Sequence, residues 1–220
     1  MHNKLAIFDL DDTLIEGDSS VLWTQYLWDK QVITDPRFVE ADKQMMAQYN
    51  AGTLDMTTYL RFSLQALSGI TTQKIDSWLD DFIDEVIIPR MYPEGIRTLE
   101  HYRQQAIPII VISATVSFIV KKVAQRFGAD VAMGIDIKQQ NGCYTTEIEG
   151  IPTFKQGKVK RLLQWISHQP ITDAYCYFYT DSANDLPMCQ FADEVFIVNG
   201  DQKLQQAAEE NNWRQYRWHL

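Results

Sequence analysis

Four short apolar runs, each closed by small polar or acidic residues, constrain this chain more than any other feature. Leu5-Ala6-Ile7-Phe8 ends in Asp9, and Ile107 to Ile112 ends in Ser113-Ala114-Thr115. Ala174 to Tyr179 ends in Thr180-Asp181-Ser182, and Val195 to Val198 in Asn199-Gly200-Asp201. A continuous apolar run of this length suits a strand buried on both faces, as in a parallel sheet. Helical patterns lie between the runs, from Pro93 to about Gln105, Thr115 to Phe127 and Gln156 to Ser167. Strand–helix alternation predicts an α/β fold, a doubly wound Rossmann-like parallel sheet. Such sheets bind ligands beyond the carboxyl ends of their strands, so the polar run ends are aimed at one site.

Two segments interrupt the alternation. Residues 18–92 hold no strand-like run and read as four helices, Ser19 to Val32, Pro36 to Tyr49, Asp55 to Leu67 and Thr72 to Ile87. The expectation is a helical cap domain at 18–92 inserted into an α/β core of 1–17 and 93–220. Residues 134–150 alternate around Asn141-Gly142, a strong turn signal, and predict a β-hairpin.

Composition narrows the function classes. A hydrophobic fraction of 45% and a charged fraction of 22% are ordinary globular usage, which excludes general disorder. Asp and Glu outnumber Lys and Arg by 29 to 20, so nucleic acids and anionic membranes are disfavoured as partners. A small anion in a local pocket remains compatible with that charge. Cys143, Cys176 and Cys189 show no Cys-x-x-Cys spacing, which fits a reducing compartment. The longest apolar run is far short of the ~20 residues of a membrane helix. No signal-peptide pattern follows Met1, and the expectation is a soluble, cytoplasmic protein of unspecified oligomeric state.

The acids at the run ends suggest chemistry. Asp9 and Asp11 alternate along an extended chain and can face one point, while Asp12 points away into the turn. Close carboxylates repel unless a cation lies between them or one is protonated. Asp181 and Asp185 add two acids at another strand end, and oxygen-only ligands suggest Mg²⁺. His2, His101, His168 and His219 fall outside these clusters. Trp23, Trp28 and Trp78 of the insert are expected to pack its core, with substrate stacking the lesser alternative.

Four elements then occur in order: Phe8-Asp9-Leu10-Asp11-Asp12-Thr13-Leu14, Val111-Ile112-Ser113-Ala114, Lys158 within Lys155-Gln156-Gly157-Lys158-Val159, and Tyr179-Thr180-Asp181-Ser182-Ala183-Asn184-Asp185. In these the whole chain resembles the haloacid dehalogenase-like hydrolases, most closely their phosphoserine-phosphatase-like subfamily. The resemblance implies an Mg²⁺-dependent phosphatase acting on a small phosphorylated metabolite. It implies Asp9 as the nucleophile that forms an aspartyl-phosphate and Asp11 as general acid and then base. Ser113, Ala114, Lys158 and Asn184 would bind phosphate, with Asp18 on the leaving group. Asp9, the Asp11 carbonyl and Asp181 would bind the metal, with Asp185 supporting its water shell or orienting Lys158. The alternatives are a phosphotransferase using the same intermediate and a non-catalytic phosphate-binding regulator. An intact Asp11 argues against the regulator, since binding alone needs no proton shuttle.

The chain also departs from phosphoserine phosphatases. Ser113-Ala114-Thr115 stands where they usually have Ser-Gly-Gly, and Thr180-Asp181-Ser182 where they usually have Gly-Asp-Gly. With Ala51-Gly52-Thr53-Leu54 laid over the similar cap segment, their carboxylate-binding arginine falls at Ser63, and Arg61 lies about half a helical turn away. Asp18 matches their acid for the substrate amine. The reaction type transfers on this comparison; phosphoserine as the substrate does not.

Overall fold

A computed structural model describes residues 3–51, 53 and 55–220, without the side chains of residues 49 and 50. Gly52 and Leu54, half of the cap segment used to place Ser63, lie outside the described residues, as does His2. In chain order the elements are β1 (Asn3–Phe8), α1 (Ser19–Asp29), α2 (Pro36–Asn50), α3 (Met56–Gln65), α4 (Thr72–Phe82), α5 (Pro93–Gln104), β2 (Ile109–Val116) and α6 (Ser117–Arg126). There follow β3 (Val131–Ile135), β4 (Ile137–Gln140), β5 (Cys143–Ile148), α7 (Gln156–Ile166), β6 (Ala174–Thr180), α8 (Leu186–Phe191), β7 (Glu194–Val198), α9 (Gln202–Asn211) and β8 (Arg214–Tyr216).

Six strands form one sheet in the order β3-β2-β1-β6-β7-β8, and every neighbouring pair is parallel. β4 and β5 form a separate antiparallel hairpin. The central strand shows why its run is apolar throughout: Leu5, Ala6, Ile7 and Phe8 are all fully buried. Leu5 and Ile7 pack on one face with Ile110, Leu162 and Phe178. Ala6 and Phe8 pack on the other with Leu99, Val111 and Tyr179. Each such large side chain contributes about 1.5–3 kcal/mol of burial.

The expected strands and helices form, with shifted ends. Pro108 cannot donate to a ladder, and β2 starts at Ile109 rather than Ile107. It runs on through Ser113 and Thr115 to Val116, so α6 begins two residues later than its apolar pattern suggests. Gly134 permits this extension: a Cβ there would sit 2.7 Å from Ser117 Cα and 2.8 Å from the Thr115 carbonyl oxygen. The helix expected to end at Ile87 widens into a π-turn over Ile83–Ile87 and tightens to a 3₁₀ turn over Ile88–Arg90, at Pro89. Two edge strands escaped the pattern. The alternation read at 134–150 takes in only Gly134 and Ile135 of β3, and Arg214-Gln215-Tyr216 is exposed and has no apolar run.

Residues 18–92 are helical and lie against one end of the sheet. The two chain crossings that join them to the sheet pair with each other. The Glu16 amide donates to the Arg90 carbonyl at 2.8 Å, and the Tyr92 amide to the Leu14 carbonyl at 3.1 Å. On the outer side Lys122 of α6 meets Asp76 (3.1 Å) and Asp80 (2.8 Å) of α4, and Arg126 meets Asp84. The Thr72 amide donates to the Gly142 carbonyl at 2.8 Å, tying the hairpin turn to the same helices.

Asp42 sits at the junction of α1, α2 and α3, fully buried, beside the hydroxyls of Thr24 and Tyr59. Burial pushes its carboxyl up to about 6, against the smaller lowering by those hydroxyls and Lys43. The unfolded chain loses this proton near pH 3.8, the folded chain near 6. Stability therefore falls as pH rises between these values and levels above them, by up to about 3 kcal/mol. Asp42→Asn should lack that fall, so its stability relative to wild type should improve from pH 4 to pH 8 in urea unfolding. An identical pH slope in both proteins would contradict the buried, ionising Asp42.

Candidate active site

The site is built where β1, β2 and β6 end. Asp9 follows β1 directly, and its amide donates to the Tyr179 carbonyl at 2.9 Å, which fixes it beside β6. Lys158, in the first turn of α7, is 2% exposed. Its Nζ reaches Asp9 Oδ1 at 2.9 Å and Asp185 Oδ2 at 2.7 Å. Thr180 Oγ1 donates to the same Asp185 oxygen at 2.8 Å. Burial works to lower the Lys158 pKa, but Asp185 and Asp9 together hold it above its ordinary value. Gly157 allows the approach of α7: any Cβ there would collide with the Pro152 carbonyl.

Asp11 faces another way. Its Oδ1 accepts the Ser19 amide at 2.7 Å, and its Oδ2 accepts the hydroxyls of Ser113 and Thr115, each at 3.0 Å. Ser113 lies within β2, and its Oγ also accepts the Thr115 amide at 3.0 Å. Ala114 lies between them, half-buried. Thr153 Oγ1 donates to the Ser113 carbonyl at 2.6 Å and fixes that strand end from below.

The remaining expected residues spread around this centre. Asp181 Oδ1 accepts Thr13 Oγ1 at 3.2 Å. Burial, then the charge of Asp9, raises the Asp181 carboxyl well above the usual range. Burial likewise raises Asp9, against the lowering by Lys158. Asp12 is exposed and turns back to accept the Gly17 amide at 2.8 Å, as its alternation implied. The Asn184 amide donates to Ser182 Oγ at 3.3 Å in a short 3₁₀ turn. Asp18 caps α1, its Oδ1 accepting the amides of Ser20 (2.8 Å) and Val21 (3.0 Å). Burial, then the charge of Asp11, raises its carboxyl. Ser63 is half-buried and Arg61 exposed on α3.

The four acids lie close enough for Asp9 to feel the charges of Asp11 and Asp185, and Asp181 that of Asp9. Among the described residues no three His, Cys, Asp or Glu side chains form a metal-holding group. Hydrogen bonding divides them: Asp185 is committed to Lys158 and Thr180, and Asp11 to Ser19, Ser113 and Thr115. Asp9 and Asp181 remain, two neighbouring acids each held up by burial and by other acids. That donor set fits Mg²⁺, which takes one or two carboxylates and completes its shell with carbonyls, water and phosphate oxygens. Ser19, Thr115, Thr153 and Thr180 escaped the sequence reading. Thr115 was within reach, since Ser113 and Thr115 share a face at a spacing of two. Ser19 starts α1 and Thr153 lies in the loop before α7, where neither carries a local signal, and Thr180 closes β6 facing a carboxylate five residues on.

A family model for haloacid dehalogenase-like hydrolases matches residues 6–190. A histidinol-phosphatase of Neisseria meningitidis serogroup C is 34% identical, over 96% of each chain. A phosphoserine phosphatase of Mycobacterium tuberculosis is 24% identical, over 94% of this chain and 68% of its own. A crystal structure of a Bordetella pertussis protein of unknown function superposes with a TM-score of 0.91 at 28% identity, covering 98% of each chain. A substrate-bound phosphoserine phosphatase superposes at 0.68 with 18% identity, over 94% of this chain and 90% of its own, a likeness of fold. With the family match spanning most of the chain and all four motifs gathered at one end of its sheet, this protein belongs to the haloacid dehalogenase-like hydrolases.

Proposed function

We propose that the protein is an Mg²⁺-dependent phosphatase that hydrolyses a small phosphomonoester through an aspartyl-phosphate on Asp9. Residues 18–92 act as its cap over a core of 1–17 and 93–220. The observation that carries this reading is the buried Lys158 ammonium held between Asp9 and Asp185, with Asp11 poised on Ser113 beside it.

Lys158 engages Asp9 through Oδ1, which leaves Oδ2 to attack phosphorus. The same ammonium offsets the charge brought by the phosphate. Ser113 turns its hydroxyl from Asp11 to a phosphate oxygen, which relieves Asp11 Oδ2 of one of its two hydrogen bonds. Asp11 then protonates the leaving alkoxide and later takes the proton of the attacking water. Bound by Asp9, Asp181 and the Asp11 carbonyl, Mg²⁺ would supply Lewis-acid stabilisation of the transferring phosphoryl group. Thr180 and Asp185 keep Lys158 aligned through both steps.

The leaving group is an amino alcohol without a carboxylate. The Neisseria relative is named for histidinol phosphate. In this chain Asp18 offers a half-buried acid for an amine, while Ser63 cannot give the two-pronged grip of an arginine on a carboxylate.

Chelation should abolish turnover and added Mg²⁺ restore it; full activity in a metal-free preparation would refute the metal assignment. Asp9→Asn should remove turnover with the fold retained, and Asp11→Asn should lower kcat by ~10²–10⁴. Histidinol phosphate should exceed phosphoserine in kcat/KM by at least about tenfold, roughly the effect of one unmatched polar contact. Lys158→Met leaves two buried acids facing each other and should cost about 3–5 kcal/mol in urea unfolding at neutral pH without metal. Wild-type stability in that variant would mean that the acids are not held ionised by Lys158.

A further inference from the structure

A narrow cleft runs between α1 and α3 of the cap and the junction of β2 with α6. It starts at the catalytic centre: Ser20 Oγ lies 3.2 Å from Thr115 Oγ1, the hydroxyl that holds Asp11 Oδ2. Its walls are largely apolar, with Trp23 and Phe118 on opposite sides of the cap–core seam. Its polar groups are the hydroxyls of Ser20, Thr24 and Ser63, and no charged side chain among the described residues lines it.

Trp23 is the unexplained member of this wall. It is 5% exposed, and its indole Nε1 is buried without a hydrogen-bond partner among the described residues. The ring cannot readily turn to find one. It stacks on Tyr26 at 5.5 Å and 15°, and meets Phe82 edge-on at 5.1 Å and 73°. A buried donor left unpaired forfeits its hydration, and a ligand that supplies an acceptor recovers the loss. Ser63 has the complementary capacity. Its hydroxyl donates to the Leu60 carbonyl at 3.3 Å, which leaves its oxygen lone pairs to accept.

We infer that Trp23 is a specificity-determining residue, donating its indole N–H to the unprotonated nitrogen of a heteroaromatic ring carried by the leaving group. The proposal rests on the phosphatase reading above and adds the ring and the residue that reads it. A neutral imidazole has one acceptor nitrogen and one N–H, and the cleft offers one orphan donor and an accepting hydroxyl for this pair. A carboxylate finds no cation there, and an aliphatic or phenyl group leaves the indole unpaired. The cleft as it stands has a volume of about 20 Å³, space for a water rather than a ring. Substrate therefore enters with the cap parted from α6, and the ring takes the place of any water at Nε1.

The test compares histidinol phosphate with phenylalaninol phosphate, which keeps the amine and a ring but has no ring nitrogen. For wild type, kcat/KM should favour histidinol phosphate by about tenfold, the effect of one buried hydrogen bond. Trp23→Phe should bring that ratio close to one, mainly through KM, because phenylalanine keeps the aromatic packing and loses the donor. A merely structural role would lower both substrates alike and leave the ratio in place, which would overturn the proposal. So would a wild-type enzyme with no preference, in which Nε1 meets water only. A Tm within about 3 °C of wild type marks an intact variant. Should Trp23→Phe not fold, competitive inhibition of the wild type by histidinol and by phenylalaninol decides the matter, equal Ki values overturning the inference. Hydrolysis of an aryl phosphate with neither amino-alcohol phosphate turned over would instead refute the amino-alcohol reading. Turnover of the phenyl compound ahead of histidinol phosphate would refute only the role of the ring nitrogen.

Discussion

A buried ammonium shared by two carboxylates organises everything around it. Lys158 Nζ lies 2.9 Å from Asp9 and 2.7 Å from Asp185, so one charge joins the end of β1, the start of α7 and the turn after β6. A buried ion pair is a poor source of stability, because the desolvation of its charges offsets much of their attraction. It does impose geometry, since each acid without the lysine would be a buried, uncompensated charge. The sheet register brings Asp9 to Tyr179, and Gly157 lets α7 come close enough for Lys158 to reach. Asp9, the proposed nucleophile, is therefore held in place before any substrate arrives, the preorganisation on which electrostatic catalysis depends.

Asp11 lies at a different kind of junction. One oxygen accepts from Ser19 at the start of α1, and the other from Ser113 and Thr115 on the sheet. The two chain crossings into residues 18–92 are paired by backbone hydrogen bonds just beyond it, at Glu16 with Arg90 and Leu14 with Tyr92. A shift of α1 against β2 must rearrange the contacts of Asp11. Under the proposed mechanism Asp11 thus sits where movement of α1 and phosphate binding would both compete for its hydrogen bonds, which would couple closure to proton transfer.

The fold and the charged centre were legible in the sequence because they depend on patterns of one chain segment. Two-faced burial makes β1 apolar from Leu5 to Phe8, and the acids at its end need no partner to be noticed. What escaped depends on neighbours. β8 is an exposed edge with no apolar run, and β3 borrows its identity from the β2 strand beside it. Thr115, Ser19 and Thr180 matter through the carboxylates they face, and those distances exist only after folding. For Asp185 the sequence left open support of a metal's water shell or orientation of Lys158; in space one of its oxygens accepts from Lys158 and Thr180.

The helical insert, residues 18–92, has two sides that differ in their physics. Its outer contacts are ion pairs at four-residue spacing, Asp76, Asp80 and Asp84 against Lys122 and Arg126, all partly or largely exposed. Exposed pairs are screened and individually weak, so they orient the helices without locking them. Its inner contact with β2 consists of hydroxyls, Ser19 and Ser20 on Thr115, set in an apolar surround. Neutral hydroxyls can exchange partners with water or substrate at low cost, where a buried charge pair across the seam could not. With the buried Lys158 pairs confined to the core and hydroxyls meeting across the seam with β2, the proposed cap could move without disturbing the ammonium that aligns Asp9.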